Sequence, residues 1–105
     1  MTIEYGQEYL RELYENDRCR DKKHRFQPQV VKKYQKRVDT LMAAIRKEDL
    51  FLFQSLGFEA LHGDKEGLFS IRVDYHFRLE CSLREEGGEP VVTICTLQEL
   101  TNHYQ

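Results

Sequence analysis

The sequence has no tryptophan, only two prolines and three cysteines, and no long uncharged apolar run. An apolar run of roughly 20 residues is needed to span a bilayer, so no membrane helix is expected. The N-terminus lacks the basic start and apolar block of a secretory signal. The cysteines include no CxxC pair and the four histidines lack zinc-site spacing, so we predict neither a disulfide framework nor a metal or other cofactor. These absences favour a soluble cytoplasmic protein.

With 105 residues, 40% of them hydrophobic and 32% charged, the chain fits a single domain, residues 1–105, with one core. Its net charge of −2 hides an asymmetry. Residues 18–47 contain eleven Lys/Arg and two acids (+9), and the remainder contains five and sixteen (−11), which sum to −2. Such a segment is either a basic face for a polyanion or a solvated helix face. The pI of about 6.1 argues against a purely electrostatic nucleic-acid binder.

The first half of the chain has helical periodicity. Tyr9, Leu10, Leu13 and Tyr14 predict a short amphipathic helix that ends near Asn16. Residues 2–5 fit either a short strand before this helix or its first turn, and residues 17–27 read as a loop.

A longer helix is predicted from Pro28 onward, because proline favours the first helical position. Its apolar arc faces the core and comprises Val30, Val31, Tyr34, Val38, Leu41, Met42 and Ile45. Its basic arc faces water or a partner and comprises Lys32, Lys33, Lys36 and Arg37. Residues 48–56 then fit a short helical turn that leads into a sheet.

The second half alternates with a period of two. Residues 69–73 and 77–83 read as half-buried strands, and residues 91–97, apolar on both faces, read as a central strand. Residues 86–90 are expected to form the loop between the second and the third of these strands. Cys81 and Cys95 are expected as small core residues. Helices followed by strands predict an α+β fold, with the helices packed on one sheet face.

The two alternating strands place two arginines opposite each other. A three-residue loop, Asp74-Tyr75-His76, pairs Val73 with Phe77 and therefore Arg72 with Arg78. Like charges so placed need either an acidic neighbour, for which Glu80 is available, or a bound anion such as phosphate. Both guanidiniums are expected to project from the polar sheet face. His103 and Tyr104 follow the last strand and would add acid–base chemistry if the sheet brings them beside the arginines.

The string Gly63-Asp64-Lys65-Glu66-Gly67-Leu68-Phe69-Ser70-Ile71-Arg72, with Arg78 six residues on, resembles the signature of RelE/HigB-type toxins of bacterial toxin–antitoxin pairs. The resemblance runs from about Phe58 to Tyr104 and is stronger for the HigB branch. It implies a compact α+β fold, with N-terminal helices on one face of a small, mainly antiparallel sheet. It also implies an mRNA endonuclease that acts at the ribosome and inhibits translation. A helix-turn-helix (HigA-like) antitoxin would neutralise this activity, and the toxin would contact operator DNA only through that antitoxin.

In the chemistry that the resemblance implies, the ribose 2′-OH attacks the adjacent phosphate without a metal. Matching positions give Arg72 and Arg78 the phosphate-stabilising role, and make His103 a base or acid with Tyr104 assisting. For RNA or ribosome contact we expect the basic side chains Lys32, Lys33, Lys36, Arg37 and Lys65.

The sequence departs from the family pattern at two places. Glu59 stands where HigB members often have a histidine; its carboxylate could act as a base, or His62 could replace the histidine. The end reads Thr101-Asn102-His103-Tyr104, where the family has Asp-Tyr-His.

Two functions therefore compete: a ribosome-dependent mRNA endonuclease, and a toxin-fold module that has lost catalysis and binds its antitoxin in a DNA-bound autoregulatory complex. A general RNA-binding domain is a third option, although the sequence has no RRM-type stacking motif and no GXXG loop.

Overall fold

The computed structural model describes residues 1–102, so the predicted catalytic residues His103 and Tyr104 lie outside the described residues. Helices and strands follow one another as β1 Thr2–Tyr5, α1 Glu8–Asn16, α2 Pro28–Ala43, α3 Asp49–Leu52, β2 Glu59–Ala60, β3 Phe69–Arg72, β4 Arg78–Glu86 and β5 Val92–Thr101. Short 3₁₀ turns lie at Lys22–His24, Gln54–Leu56 and Gly63–Lys65. The predicted α+β class is confirmed.

The five strands form one sheet in the order β1-β5-β4-β3-β2. Strand β1 runs parallel to β5, and the other pairings are antiparallel. Residues 2–5 are thus a strand, and β5 lies between β1 and β4 as its apolar composition predicts. Within residues 1–102, each helix is too short or too polar to cross a bilayer.

The core lies between α1, α2 and one face of the sheet. Tyr34 of α2 is fully buried, and its hydroxyl donates to the Leu10 carbonyl oxygen at 2.7 Å. Cys81 and Cys95 are fully buried, as predicted. Burial raises the pKa of the Cys81 thiol, so this cysteine behaves as a small apolar residue.

Helix α2 begins at Pro28 as predicted but ends at Ala43, before the apolar arc is complete. Asp49 accepts hydrogen bonds from the Ile45 and Arg46 N–H groups at 2.9 and 3.0 Å, and this turn leads into α3. Ile45 lies beyond the end of the helix and is consequently 77% exposed. Met42 lies in the last turn of α2, at the edge of the apolar arc, and is 41% exposed. The prediction that these two residues face the core is wrong.

Candidate functional site

The β3–β4 hairpin has the predicted register. Arg72 pairs with Arg78, and the Val73 N–H donates to the Phe77 carbonyl oxygen at 2.9 Å. The Asp74 carboxylate holds the turn by accepting from the His76 and Phe77 N–H groups, each at 2.8 Å. The three-residue loop and the alternation of the two strands therefore predicted which two arginines the sheet places side by side.

Arg78 is buried, with 7% of its surface exposed, where the sequence predicted a solvent-facing side chain. Its Nε donates to the Ser70 hydroxyl at 2.8 Å, and its Nη2 donates to the carbonyl oxygens of Ser70, at 3.3 Å, and Gly57. The reason for the burial is that the chain entering β2 comes back to the sheet at Gly57. These bonds fix the guanidinium, so its charge is pre-organised.

Glu59 lies beside this arginine. Strand β2 pairs Glu59 with Ser70, which places both residues on the sheet face that carries Arg78. The Glu59 Oε2 lies 4.0 Å from the Arg78 Nη2, and the Glu59 side chain is 60% exposed. We call Glu59, Ser70 and Arg78 the arginine–carboxylate site. It combines a fixed positive charge with an accessible proton acceptor.

Arg72 is exposed and lines a cavity of about 680 Å³ together with Lys33, Lys36 and Arg37 of α2. We call this cavity the cationic groove. The Arg37 Nη2 donates to the Ser55 carbonyl oxygen at 3.3 Å. Burial, and then the charge of Arg72, lower the pKa of Arg37. In the part of the chain that the structure describes, none of these four cations has an acidic partner within salt-bridge distance.

Glu80, the acidic neighbour that the sequence offered to the arginines, forms an ion pair with Lys65. The Lys65 Nζ lies 2.7 Å from the Glu80 Oε2. Glu80 is 3% exposed, whereas the Lys65 side chain remains 45% exposed. Lys65, expected to contact RNA, thus also neutralises a buried carboxylate on the polar face of the sheet.

His62 lies apart from the arginine–carboxylate site. It lines a cavity of about 450 Å³ with Phe58, Leu68 and Leu83, and its Nδ1 is 4.0 Å from the Glu66 Oε2. Lys32 is exposed on α2 but does not line the cationic groove. The structure therefore brings Glu59 to Arg78, and three of the predicted RNA contacts to Arg72.

His24 is a candidate residue that the sequence reasoning did not select. Its Nδ1 lies 2.8 Å from the Asp21 Oδ2, and its ring stacks on Tyr9 at a centroid distance of 3.7 Å. The Lys23 N–H and then the His24 ring hold the pKa of Asp21 below its ordinary value. His24 lines a cavity of about 530 Å³ that reaches Asn102, the last described residue. The Asp-x-x-His spacing was the only signal that could have indicated this pair.

Comparison with known families identifies the family of this chain. Residues 3–87 match the sequence model described as the RelE-like toxin of type II toxin-antitoxin system HigB. The match covers well over half of the chain and includes Glu59, Arg72 and Arg78. The chain belongs to the HigB-like toxin family. It is a toxin of the type II class, and its biological partner is an antitoxin. The matched range also contains α1 and α2, which precede the stretch from Phe58 that carries the resemblance in the sequence, and it stops before β5.

A solved structure shows the same fold. The YoeB/ParE toxin from Agrobacterium tumefaciens superposes with a TM-score of 0.56, covering 99% of this toxin and 100% of that chain at 16% sequence identity. At this identity the likeness concerns the fold alone. No curated protein matches the sequence.

Proposed function

We propose that this toxin is an mRNA endonuclease that cleaves message on the ribosome and so inhibits translation. The observation that carries the proposal is the arginine–carboxylate site. Arg78 is fixed by Ser70 and Gly57, and an accessible carboxylate, Glu59, lies 4.0 Å from it. A fixed cation beside a proton acceptor suits a reaction in which negative charge builds up on a phosphate.

In the proposed reaction, Glu59 accepts the proton of a ribose 2′-OH, whose oxygen attacks the adjacent phosphorus. The bond from phosphorus to the 5′-oxygen breaks, and a proton donor completes the 5′-OH. The products are a 2′,3′-cyclic phosphate and a 5′-OH end. Arg78 stabilises the charge of the five-coordinate phosphorus, and Arg72 binds the RNA next to it.

The proton donor is proposed to be His103 or Tyr104, which follow the last described residue. His62 is left out of the proposed reaction, because it lines the cavity with Phe58 and Leu83. A histidine near the leaving oxygen can supply the proton near neutral pH, and a tyrosine hydroxyl can also donate one.

The exposed cations of α2 are proposed to dock the toxin on ribosomal RNA. Lys32, Lys33 and Lys36 are exposed, and Arg37 is half-buried with its guanidinium in the cationic groove. Lys65 keeps 45% of its side chain exposed beside its ion pair and could take part. Docking through such contacts weakens steeply as salt rises.

The antitoxin is proposed to be a helix-turn-helix (HigA-like) protein that holds the toxin in an autoregulatory complex on operator DNA. The toxin itself would then contact DNA only through its partner. Its site of action would be the cytoplasm, where message and ribosomes are found.

A second candidate function is a catalytically inactive toxin-fold module that acts only by binding its antitoxin. The burial of Arg78 favours this alternative, because its hydrogen bonds to Ser70 and Gly57 also stabilise the fold.

The deciding experiment mixes purified toxin with ribosomes programmed with a defined message and maps the message ends by primer extension. The nuclease proposal predicts cuts at the A site that are lost with Arg78→Ala and with a message carrying a single 2′-deoxynucleotide at the cut position. An absence of cuts from folded toxin that still binds its antitoxin would support the binding module. Cuts that persist in the 2′-deoxy message would contradict the proposed attack by the 2′-OH.

A further inference from the structure

Four cations in the cationic groove come from two separate elements. Lys33, Lys36 and Arg37 lie on α2, and Arg72 ends β3. Asp74 also lines the groove, but its carboxylate accepts two N–H groups of its own turn. Within residues 1–102 no acidic side chain forms a salt bridge with any of the four. The groove therefore carries a positive charge that a bound anion would neutralise.

The groove also has an aromatic wall. Tyr75 lines it from the tip of the β3–β4 turn and is 91% exposed. Its ring forms a T-shaped contact with the His76 ring, at a centroid distance of 5.2 Å. A tyrosine with so little packing contributes little to the core, and its faces are accessible for stacking.

Gly57 connects the groove to the arginine–carboxylate site. Its carbonyl oxygen accepts from Arg78, while a side-chain carbon at its Cα would lie 3.3 Å from the Arg72 Nη2. Both guanidiniums therefore lie near Gly57, and Arg72 and Arg78 are also cross-strand partners. The groove and the arginine–carboxylate site are thus neighbours on the hairpin.

We propose that the cationic groove and Tyr75 form a subsite for one nucleotide of single-stranded RNA next to the cleaved bond. The phosphate binds between Arg72 and Arg37, and the base stacks on the Tyr75 ring. The inference rests on the proposed function, since it extends the same RNA-binding path. An acidic peptide would neutralise the cations but would not need the aromatic ring, so the combination favours RNA.

The test measures binding of a fluorescein-labelled 2′-O-methyl uridine hexamer, which lacks the attacking hydroxyl, by fluorescence anisotropy at two salt concentrations. Stacking predicts that Tyr75→Ala raises the Kd about tenfold and that Tyr75→Phe leaves it within about twofold. Because Tyr75 is 91% exposed, both variants should fold, and circular dichroism checks this.

A matched pair of lysine substitutions tests the phosphate part. Lys36→Gln removes a groove cation, whereas Lys22→Gln removes an exposed lysine that does not line the groove. We expect Lys36→Gln to weaken hexamer binding and to flatten its salt dependence by roughly one unit of slope. Lys22→Gln should leave both unchanged.

The subsite is refuted if the wild-type toxin does not bind the hexamer, or if Tyr75→Ala and Lys36→Gln bind it as the wild type does. The subsite is also refuted if polyglutamate displaces the hexamer equally well from the wild type and from every variant. That result would indicate a protein-binding surface. The outcome is separable from the nuclease proposal. Toxin that cleaves message on ribosomes but fails the hexamer test lacks only the subsite. Toxin that binds through Tyr75 but cuts no message retains the subsite without the nuclease.

Discussion

Arg72 and Arg78 are cross-strand partners in one hairpin, yet their surroundings differ. Arg78 is buried and bonded to Ser70 and Gly57, with Glu59 4.0 Å away. Arg72 is exposed and faces a groove of other cations. Arg78 lies on β4, between β3 and β5, and donates to the Gly57 carbonyl oxygen of the chain that leads into β2. Arg72 is the last residue of β3 and lies beside the cations of α2. Arg78 is held in place by hydrogen bonds, whereas Arg72 is exposed among other cations.

This contrast predicts unequal roles. A fixed, buried cation stabilises charge that develops during reaction. An exposed cation among other cations contributes to binding of a polyanion. The following variants test the contrast, in order of expected effect.

Arg78→Ala should have the largest effect. Removing one pre-organised charge donor typically slows a reaction by about 10²–10³-fold. We expect the wild-type toxin, expressed without antitoxin, to stop growth, and this variant to leave growth unaffected. Arg72→Ala should relieve growth arrest only partly. The contrast fails if Arg72→Ala relieves arrest fully while Arg78→Ala, present at the same level and folded, remains toxic.

Lys65→Met should lower stability. It removes the ammonium that lies 2.7 Å from the buried Glu80 carboxylate. Because the lysine is partly exposed, we expect a loss of about 1–3 kcal/mol in the free energy of unfolding, less than for a fully buried pair. Urea denaturation measures it. As a matched control, Lys22→Met changes an exposed lysine and alters the net charge of the protein by the same amount. It should leave the denaturation midpoint unchanged.

Ser70→Ala tests how Arg78 is held. Ser70 is fully buried, and its hydroxyl accepts from the Arg78 Nε at 2.8 Å. Loss of this acceptor should cost about 1–2 kcal/mol in the free energy of unfolding and reduce message cleavage. Ser82, half-buried on β4, accepts from the Gln98 Nε2 at 3.2 Å, so Ser82→Ala loses a hydrogen bond that does not involve Arg78 and serves as the control for cleavage. Unchanged cleavage by Ser70→Ala would show that Arg78 does not need this hydrogen bond for its role.

Gly57→Ala should have the smallest effect on stability. Gly57 has a φ of +55°, and an added Cβ would lie 3.3 Å from the Arg72 Nη2. The strained backbone should cost about 1 kcal/mol, and the flexible Arg72 side chain can move aside. Gly88→Ala, at a glycine with no heavy atom within 4 Å of the added Cβ, is the control, measured by thermal denaturation. A stability loss equal to that of the control would show that alanine adds no backbone strain at Gly57.

The sequence predicted the hairpin register, because a three-residue loop and two alternating strands leave one pairing that keeps both apolar sets on the core face. It likewise predicted α1, the start of α2 and the burial of Cys81 and Cys95. These features depend on local periodicity.

The sequence could not predict which arginine is buried. That depends on where residues 54–59 lie, and their short apolar run has no periodicity to place them. For the same reason the pairing of Lys65 with Glu80 and the position of Glu59 beside Arg78 required the three-dimensional structure. Ile45 was misplaced because a helix end set by Asp49 is not visible in the apolar spacing.

We propose that Arg78 acts on the reacting phosphate and that Arg72 acts on RNA binding. Single-turnover cleavage on programmed ribosomes over a range of toxin concentrations separates these roles, for the wild type, Arg78→Lys and Arg72→Lys. Arg78→Lys should lower the maximal rate with little change in the half-saturating concentration. Arg72→Lys should raise the half-saturating concentration with little change in the maximal rate. The reverse pattern, or equal effects of both substitutions on both parameters, would contradict this proposal.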